Sequence, residues 1–317
     1  MQYRKLGKNG PEISAIGFGA WAIGGAGWAS SWGEQDDRLS HDSVRAALDA
    51  GITFYDTAAI YGLGYSEEII GKALGADRER VVLATKCGLV WDEQGTVSRN
   101  GTYDSILREA EASLRRLGTD YIDLYQMHWP DTENNASAEE TMRAMDRLVQ
   151  DGKVRYVGVS NYTVPLLEAS LTVRHVDALQ PPYSILRPNA EKELLPFCLE
   201  HGIGVVAYSP LTSGLLSGKY TYETTFEDGD WRSRSAAHTG EGLRRNIDRV
   251  EQLKGIAARY EITVPQLAVA YDLAHPAITS AIVGVRKPDH ILGVLPAIDV
   301  VLDEETLQEI RAIGKPD

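Results

Sequence analysis

Residues 52–62 have the sequence ITFYDTAAIYG, in which a short apolar run is followed by a carboxylate, Asp56, and then by a phenol, Tyr61. The apolar run is rich in β-branched and aromatic residues and follows Gly51, a pattern typical of a buried strand. A helical pattern begins shortly afterwards at Ser66. We interpret this stretch as a strand, a polar loop and a helix, and units of the same kind recur along the chain.

Strand-like and helix-like segments alternate over nearly the whole chain. The predicted strands cover residues 13–18, 52–55, 81–86, 121–128, 154–159, 178–180, 204–208 and 281–284. The predicted helices cover residues 40–51, 66–74, 105–117, 137–149, 165–171, 191–201 and 265–273. Eight strands joined by crossover helices predict an α/β fold, a closed (β/α)8 TIM barrel. An N-terminal β-hairpin that turns at residues 8–11 and extra C-terminal helices complete a single predicted domain, residues 1–317.

An open, doubly wound sheet is the competing topology. Such a sheet usually carries a G-x-G-x-x-G turn after its first strand. Here the sequence GFGAWA at residues 17–22 breaks that spacing, and Gly24 and Gly25 follow later. The barrel is therefore the favoured fold.

Composition limits the classes of partner. The 317 residues carry a formal charge of −13, which argues against nucleic acid but not against a small anionic cofactor. Two cysteines suit a reducing cytosol, and no apolar run is long enough for a membrane span. The N-terminus lacks the apolar segment of a signal peptide. We expect a cytoplasmic protein without a membrane partner, and its oligomeric state stays open.

Two insertions interrupt the alternation at the predicted catalytic face of the barrel. Residues 24–37 contain Trp28 and Trp32 among glycine and serine, and residues 211–243 form a long polar and aromatic connection. Long loops in compact domains are usually functional, and barrel active sites lie at the carboxyl ends of the strands. The loop tryptophans could equally be packing or oligomer contacts.

Polar and aromatic residues stand at the carboxyl end of every predicted strand, whereas the opposite ends carry mainly turn residues and charges. The residues at the carboxyl ends are Gly19, Trp21, Asp56, Tyr61, Lys86, His128, Trp129, Ser160, Asn161, Gln180, Tyr208, Ser209, Gly284 and Arg286. Since these ends converge on one pocket in a barrel, the sequence predicts an active site there.

Four of these residues suggest proton transfer to a carbonyl oxygen. Taken singly, Asp56 is as readily a helix cap, Tyr61 a loop aromatic, Lys86 a solvated strand end and His128 a core histidine. Together at consecutive strand ends they favour acid–base chemistry, because a nearby ammonium lowers the pKa of a phenol. A metal site is disfavoured, since His128 has no second histidine or cysteine nearby at ligand spacing.

The chain resembles the aldo-keto reductase superfamily over essentially its whole length, especially bacterial general-stress and sugar-type members and the related potassium-channel β-subunits. The motifs that carry the resemblance are GITFYDTA (51–58), YG (61–62), SE (66–67), Lys86, DYIDL (120–124), His128, GVSN (158–161), Gln180, YSPL (208–211) and GLLSGK (214–219). The resemblance implies an NADPH-dependent enzyme that reversibly reduces an aldehyde or ketone to an alcohol.

The resemblance also implies a role for each catalytic candidate. Tyr61 would be the general acid, Lys86 would lower the pKa of Tyr61, and Asp56 would orient Lys86. His128 would donate a hydrogen bond to the carbonyl oxygen. The alternative function is a nicotinamide-binding regulatory or sensor subunit with slow turnover, and a metal-dependent barrel hydrolase is a third.

Further residues correspond to cofactor and substrate contacts of the family. The implied cofactor contacts are Gly19, Trp21, Ser160, Asn161, Gln180, Tyr208, Ser209, Leu211, Gly214, Lys219, Gly284, Arg286 and Asp289. The implied substrate walls are Trp21, Trp28, Trp32 and Trp129. Arg286 and Lys287 would pair with a 2′-phosphate, which favours NADPH over NADH. Leu292 and Gly293 replace a Glu-Asn pair of many relatives, so the strictness of that preference and the use of NADH stay open.

Overall fold

The computed structural model describes residues 1–28 and 30–315. Ala29 in the first predicted insertion and residues 316–317 at the end of the predicted domain lie outside the described residues. The described strands, in chain order, are β1 (Tyr3–Lys5), β2 (Glu12–Ser14), β3 (Ile16–Gly19), β4 (Phe54–Asp56), β5 (Val82–Cys87), β6 (Leu89–Trp91), β7 (Val97–Arg99), β8 (Ile122–Met127), β9 (Val154–Ser160), β10 (Ala178–Gln180), β11 (Gly204–Tyr208) and β12 (Ile278–Gly284).

Ten α-helices lie in the same described residues. They are α1 (Asp37–Asp49), α2 (Tyr65–Leu74), α3 (Tyr103–Leu117), α4 (Ala138–Gln150), α5 (Val164–Leu171), α6 (Leu194–His201), α7 (Gly240–Arg259), α8 (Val264–Ala274), α9 (Pro288–Leu292) and α10 (Glu304–Gly314). None of the helices in residues 1–28 and 30–315 combines the length and the apolar character that crossing a membrane requires.

Eight parallel strands close into a barrel, in the order β3, β4, β5, β8, β9, β10, β11 and β12, with β12 paired to β3. The predicted (β/α)8 barrel is therefore confirmed, as is the N-terminal hairpin of β1 and β2. Each crossover runs from the carboxyl end of one strand over a helix to the next. This arrangement gathers all eight carboxyl ends on one face.

The predicted first strand, residues 13–18, is wrong in one respect, because it is two strands. Residues up to Ser14 pair with β1, and Ile16 begins the barrel strand β3. The Ser14 hydroxyl donates to the carbonyl of Ile16 over 2.7 Å and accepts from the amide of Thr53 over 3.0 Å. These bonds hold the chain at the point where it leaves the hairpin and enters the barrel.

Helix α1 begins earlier than the predicted start at Ser40. The Asp36 carboxylate accepts hydrogen bonds from the amides of Arg38 (2.7 Å) and Leu39 (3.1 Å), which makes Asp36 the N-cap. Ser40 instead lies within the first turn, and its hydroxyl donates to the Asp36 carbonyl over 2.9 Å.

Two further elements were not predicted. The hairpin of β6 and β7 follows β5, and its turn is held by Asp92, whose carboxylate accepts from the amides of Gln94 and Thr96. Helix α7 begins inside the predicted insertion 211–243 and runs on to Arg259. Its buried apolar residues include Leu243, Ile247, Val250, Leu253 and Ile256, a helical spacing that the sequence displays.

An apolar layer fills the interior of the barrel. It comprises Leu6, Ile13, Phe54, Ala84, Leu124, Ala178, Val206 and Ile282. Since side chains alternate along a strand, the residue two positions further on also points inward. That rule sets the side chains of Asp56, Lys86, Gln126 and Gln180 directly above the apolar layer, towards the carboxyl ends of the strands.

Candidate active site

Four buried polar side chains form a layer inside the barrel, here called the inner polar layer: Asp56, Lys86, Gln126 and Gln180. None is more than 4% exposed. Strand pairing sets Lys86 level with Gln126. Buried polar groups must find partners within the protein, and these four find one another.

Lys86 joins the layer to the phenol of Tyr61. Its ammonium donates to Asp56 Oδ2 over 2.6 Å and to the carbonyl of Thr57 over 2.8 Å. The same nitrogen lies 3.3 Å from Tyr61 Oη. The three donors of Lys86 are thus directed at a carboxylate, a carbonyl and the phenol, so any change of charge on Tyr61 occurs beside a fixed cation.

Asp56 Oδ1, the oxygen that does not contact Lys86, accepts from two amides. Gln180 Nε2 donates to it over 2.8 Å and Gln126 Nε2 over 3.2 Å. Gln126 is absent from the sequence-based candidates. The sequence nevertheless indicates it, because it is a single amide at an otherwise apolar strand end, two residues before His128. The two amides fix the plane of the carboxylate that holds Lys86.

The loop after β4 carries Tyr61 and packs closely on the first insertion. Gly62 has φ 63°, and a Cβ there would lie 2.2 Å from the carbonyl oxygen of Gly24. Only glycine fits such an approach in the left-handed region. The Tyr61 ring lies 6.4 Å from that of Trp21, 6.1 Å from that of Trp28 and 5.7 Å from the imidazole of His128, centroid to centroid.

The pKa of Tyr61 is raised overall, and the predicted role of Lys86 in lowering it stays a prediction. Burial raises the pKa of Tyr61 well above its usual value, and the negative charge of Asp56 raises it further. Burial also lowers the pKa of Lys86, although Asp56 opposes that shift. Tyr61 therefore keeps its proton near pH 7.

His128 is neutral near pH 7. Burial lowers its pKa well below the usual range, and the charge of Lys86 adds to this effect. The backbone carbonyl of His128 accepts from the side-chain amide of Asn161 over 2.9 Å. A neutral imidazole still donates one N–H, so His128 can offer a hydrogen bond without losing its proton.

The predicted carboxamide-binding residues form one connected set beside the layer. The Ser160 hydroxyl donates to the backbone carbonyl of Gln180 over 2.8 Å, and Asn161 Nδ2 lies 3.0 Å from Ser160 Oγ. The Tyr208 hydroxyl donates to Asn161 Oδ1 over 2.9 Å. Asn161 has φ 61°, a strained conformation that turns its amide towards the site.

Cations lie near His290, although the protein as a whole is acidic. We call Lys219, Arg286 and Lys287 the cationic patch. Burial lowers the pKa of His290, and the charges of these three residues lower it further. Asp289 is exposed, and its Oδ2 lies 3.6 Å from Nζ of Lys287. Such a patch complements phosphate groups.

The other predicted cofactor contacts are spread along the rim. Gly19 packs tightly, since a Cβ there would lie 2.9 Å from Ile282 Cγ2. Ser209 has φ 62° and begins a strained turn that contains Leu211 and Gly214. Gly284 ends β12 and is exposed. The cofactor roles of these residues stay predictions.

Tryptophans from both insertions meet at the rim. We call Trp21, Trp32, Trp231 and Arg232 the rim cluster. Trp21 lies 5.6 Å from Trp32 and 6.0 Å from Trp231, centroid to centroid, and the guanidinium of Arg232 lies 4.4 Å from the centre of the Trp32 ring. Beside it opens a cleft of about 950 Å³, lined by residues of both insertions and by Arg286. Trp231 and Arg232 were not among the sequence-based candidates.

Trp129 stands apart from this cluster. It is 37% exposed, and the guanidinium of Arg99 lies 5.2 Å from its ring centre. Its predicted role as a substrate wall stays a prediction.

The donor set fits a nicotinamide dinucleotide. Ser160, Asn161 and Gln180 offer the mixed donors and acceptors that a carboxamide requires. The cationic patch complements phosphate groups, and Tyr208 offers an aromatic face beside Asn161. These residues complement the two chemically distinct ends of such a molecule.

Comparisons with known proteins agree with this geometry. Residues 15–315 match the Aldo/keto reductase family. The Bacillus subtilis protein named "Aldo-keto reductase YhdN" is 39% identical, over 99% of this chain and 93% of that protein. The Escherichia coli protein named "NADH-specific methylglyoxal reductase" is 35% identical, over 98% and 97%. The structure of a glycerol dehydrogenase from Gluconobacter oxydans superimposes with a TM-score of 0.89 at 34% identity, covering 98% of this chain and 94% of that one.

Proposed function

The chain belongs to the aldo/keto reductase family, and on that premise we propose that it is an NADPH-dependent reductase of small aldehydes or ketones, reversible, with Tyr61 as general acid. The observation that carries the proposal is the position of Lys86, whose ammonium contacts both Asp56 and Tyr61 Oη. An isolated phenol, carboxylate or lysine would not suggest proton transfer, but this chain of contacts does.

The proton is held on Tyr61 until it is needed. A carbonyl oxygen near Tyr61 Oη and His128 would accept two hydrogen bonds, one from the phenol and one from the neutral imidazole. The nicotinamide, when bound, supplies the hydride. Tyr61 Oη gives its proton to the oxygen as negative charge develops there, and the nearby Lys86 ammonium stabilises the phenolate that remains.

Asp56, Gln126 and Gln180 act by positioning. They keep Lys86 aimed at the phenol without contacting the carbonyl substrate. Trp21 and Trp28 flank Tyr61 and would limit the substrate to a small carbonyl with an apolar or flat body.

Cofactor binding involves the carboxamide-binding residues and the cationic patch. Ser160, Asn161 and Gln180 would hold the carboxamide, and Tyr208 would lie against the ring. Arg286 and Lys287 would pair with a 2′-phosphate, which favours NADPH. NADH stays open as a second cofactor, as the name of the Escherichia coli relative illustrates.

Two measurements test the proposal. Intrinsic tryptophan fluorescence should be quenched on titration with NADPH, because Trp21, Trp28 and Trp231 lie near the site. NADPH oxidation should then be followed with methylglyoxal and other small aldehydes, and NADP⁺ reduction with glycerol. Turnover no faster than that of Tyr61→Phe would contradict a reductase, and cofactor binding without turnover would favour the regulatory or sensor function.

A further inference from the structure

Arg286 does not stand free in the cationic patch, because the first insertion holds its side chain. Arg286 Nε donates to Gln35 Oε1 over 2.9 Å, and Nη1 donates to the carbonyl of Trp32 over 3.3 Å. Nη2 donates to the carbonyl of Glu34. Three acceptors within four consecutive residues thus surround one guanidinium.

Gln35 is itself fixed on two sides. Its Nε2 donates to the backbone carbonyl of Arg286 over 2.8 Å and lies 3.1 Å from the hydroxyl of Ser40 in α1. The Gln35 amide therefore makes a reciprocal pair with Arg286, accepting from its side chain and donating to its backbone. Gln35 is the only side chain among the three acceptors, since Trp32 and Glu34 contribute carbonyls.

None of these acceptors carries charge. Burial lowers the pKa of Arg286, the positive charge of Arg232 lowers it further, and Asp230 opposes them only in part. Asp230 is already paired with Arg232, whose Nε lies 3.0 Å from Oδ1. Arg286 is therefore a cation held by neutral oxygens, which occupy three of its five N–H donors, and a phosphate that binds through Nε would have to displace Gln35.

We propose that Gln35 is a specificity-determining residue that weakens the preference for the phosphorylated cofactor. The inference rests on the proposed function, in which Arg286 pairs with the 2′-phosphate of NADPH. NADPH must displace the Gln35 amide to form a bidentate pair that includes Nε of Arg286, whereas NADH has no 2′-phosphate and leaves the contact in place. Gln35 thus sets the ratio of the two affinities without being required for either.

Calorimetric titration of the full-length protein with NADPH and with NADH tests this role. Gln35→Ala removes one neutral hydrogen bond from Arg286, so the Kd for NADPH should fall by about 3- to 10-fold while the Kd for NADH stays within about twofold. Gln35→Glu places a carboxylate on Arg286 and should raise the Kd for NADPH. Gln150→Ala, at the end of α4 on the opposite face of the barrel, is the matched control and should change neither value.

A second comparison assigns the effect to Arg286. In an Arg286→Ala background, Gln35→Ala should no longer change the ratio of the two Kd values. The inference is overturned if Gln35→Ala leaves the ratio unchanged or shifts it towards NADH, even while the wild type binds both cofactors and turns over. A wild type that binds neither cofactor would overturn the proposed function together with this inference.

Discussion

The inner polar layer and the cationic patch hold their charged groups in different ways. Lys86 lies on a barrel strand, is 1% exposed and contacts a carboxylate whose other oxygen is also occupied. Arg286 lies beyond the end of β12 and is held by the neutral oxygens of an insertion. The strands thus fix Lys86 and its partners, while an insertion holds Arg286.

This difference predicts separable effects of mutation. Changes in the layer should alter the rate of the chemical step, because its side chains are fixed by strand register and by one another. Changes at the patch should alter the affinity and choice of cofactor. The two regions would be coupled if a mutation in the layer changed cofactor affinity, or if a mutation in the patch changed the rate of the chemical step.

The largest effect is expected for Lys86→Met. The variant loses the cation beside Tyr61, so kcat should fall by about 10²- to 10⁴-fold, the usual range for general acid–base catalysis. Loss of one partner from a buried ion pair should also lower the free energy of unfolding by about 3–5 kcal/mol. Steady-state kinetics measure kcat, and urea unfolding measures the free energy of unfolding. A wild-type kcat in Lys86→Met would show that Lys86 does not assist the proton donor.

Arg286→Ala should have the next largest effect, and on affinity instead of rate. Because hydrogen bonds to a charged group contribute about 1.5–3 kcal/mol, the Kd for NADPH should rise by about 10- to 100-fold. The Kd for NADH should change much less. Fluorescence titration measures both Kd values. If Arg286→Ala raises them equally, Arg286 does not distinguish a 2′-phosphate.

Gln126→Leu should lower kcat by about tenfold, since Asp56 would lose one of its two amide donors and hold Lys86 less firmly. The limb of the kcat–pH profile that reports Tyr61 should move as well, which a purely structural defect would not cause. Gln126→Glu is the companion variant, because it keeps the shape but loses the donor. An unmoved pH profile in both variants would remove Gln126 from the positioning group.

The smallest effect concerns stability and pH. The folded-state pKa of His128 is lowered, so the unfolded chain takes up a proton near pH 6.5 that the folded protein does not. Unfolding free energy should therefore decrease as pH falls through about 6.5, by about 1.4 kcal/mol between pH 7.5 and 5.5 for this residue. Urea unfolding of the wild type and of His128→Gln at pH 7.5 and pH 5.5 measures this decrease. If both proteins lose the same unfolding free energy, His128 is not the source of the pH effect.

The strand-borne part of the site could be predicted because strand alternation and barrel closure are regular. Asp56 and Lys86 follow inward-pointing apolar residues by two positions, so their convergence needs only the strand count. Gln126 obeys the same rule and could have been included. Helix α7 also showed its spacing in the sequence.

The loop-borne part could not be predicted in the same way. The contacts of Arg286 involve residues 251 to 254 positions away in sequence, and two of the acceptors are backbone carbonyls, which any residue supplies. The raised pKa of Tyr61 was also missed, because its largest cause is burial of the phenol, which only the tertiary packing reveals, and the charge of Asp56 adds to it.

The central claim is that Tyr61 gives its proton beside the Lys86 ammonium, and single-turnover reduction of methylglyoxal by the NADPH-loaded protein tests it. We predict that Tyr61→Phe binds NADPH with wild-type affinity but oxidises it at least about 100-fold more slowly in the first turnover. A first turnover at the wild-type rate in Tyr61→Phe would contradict the claim.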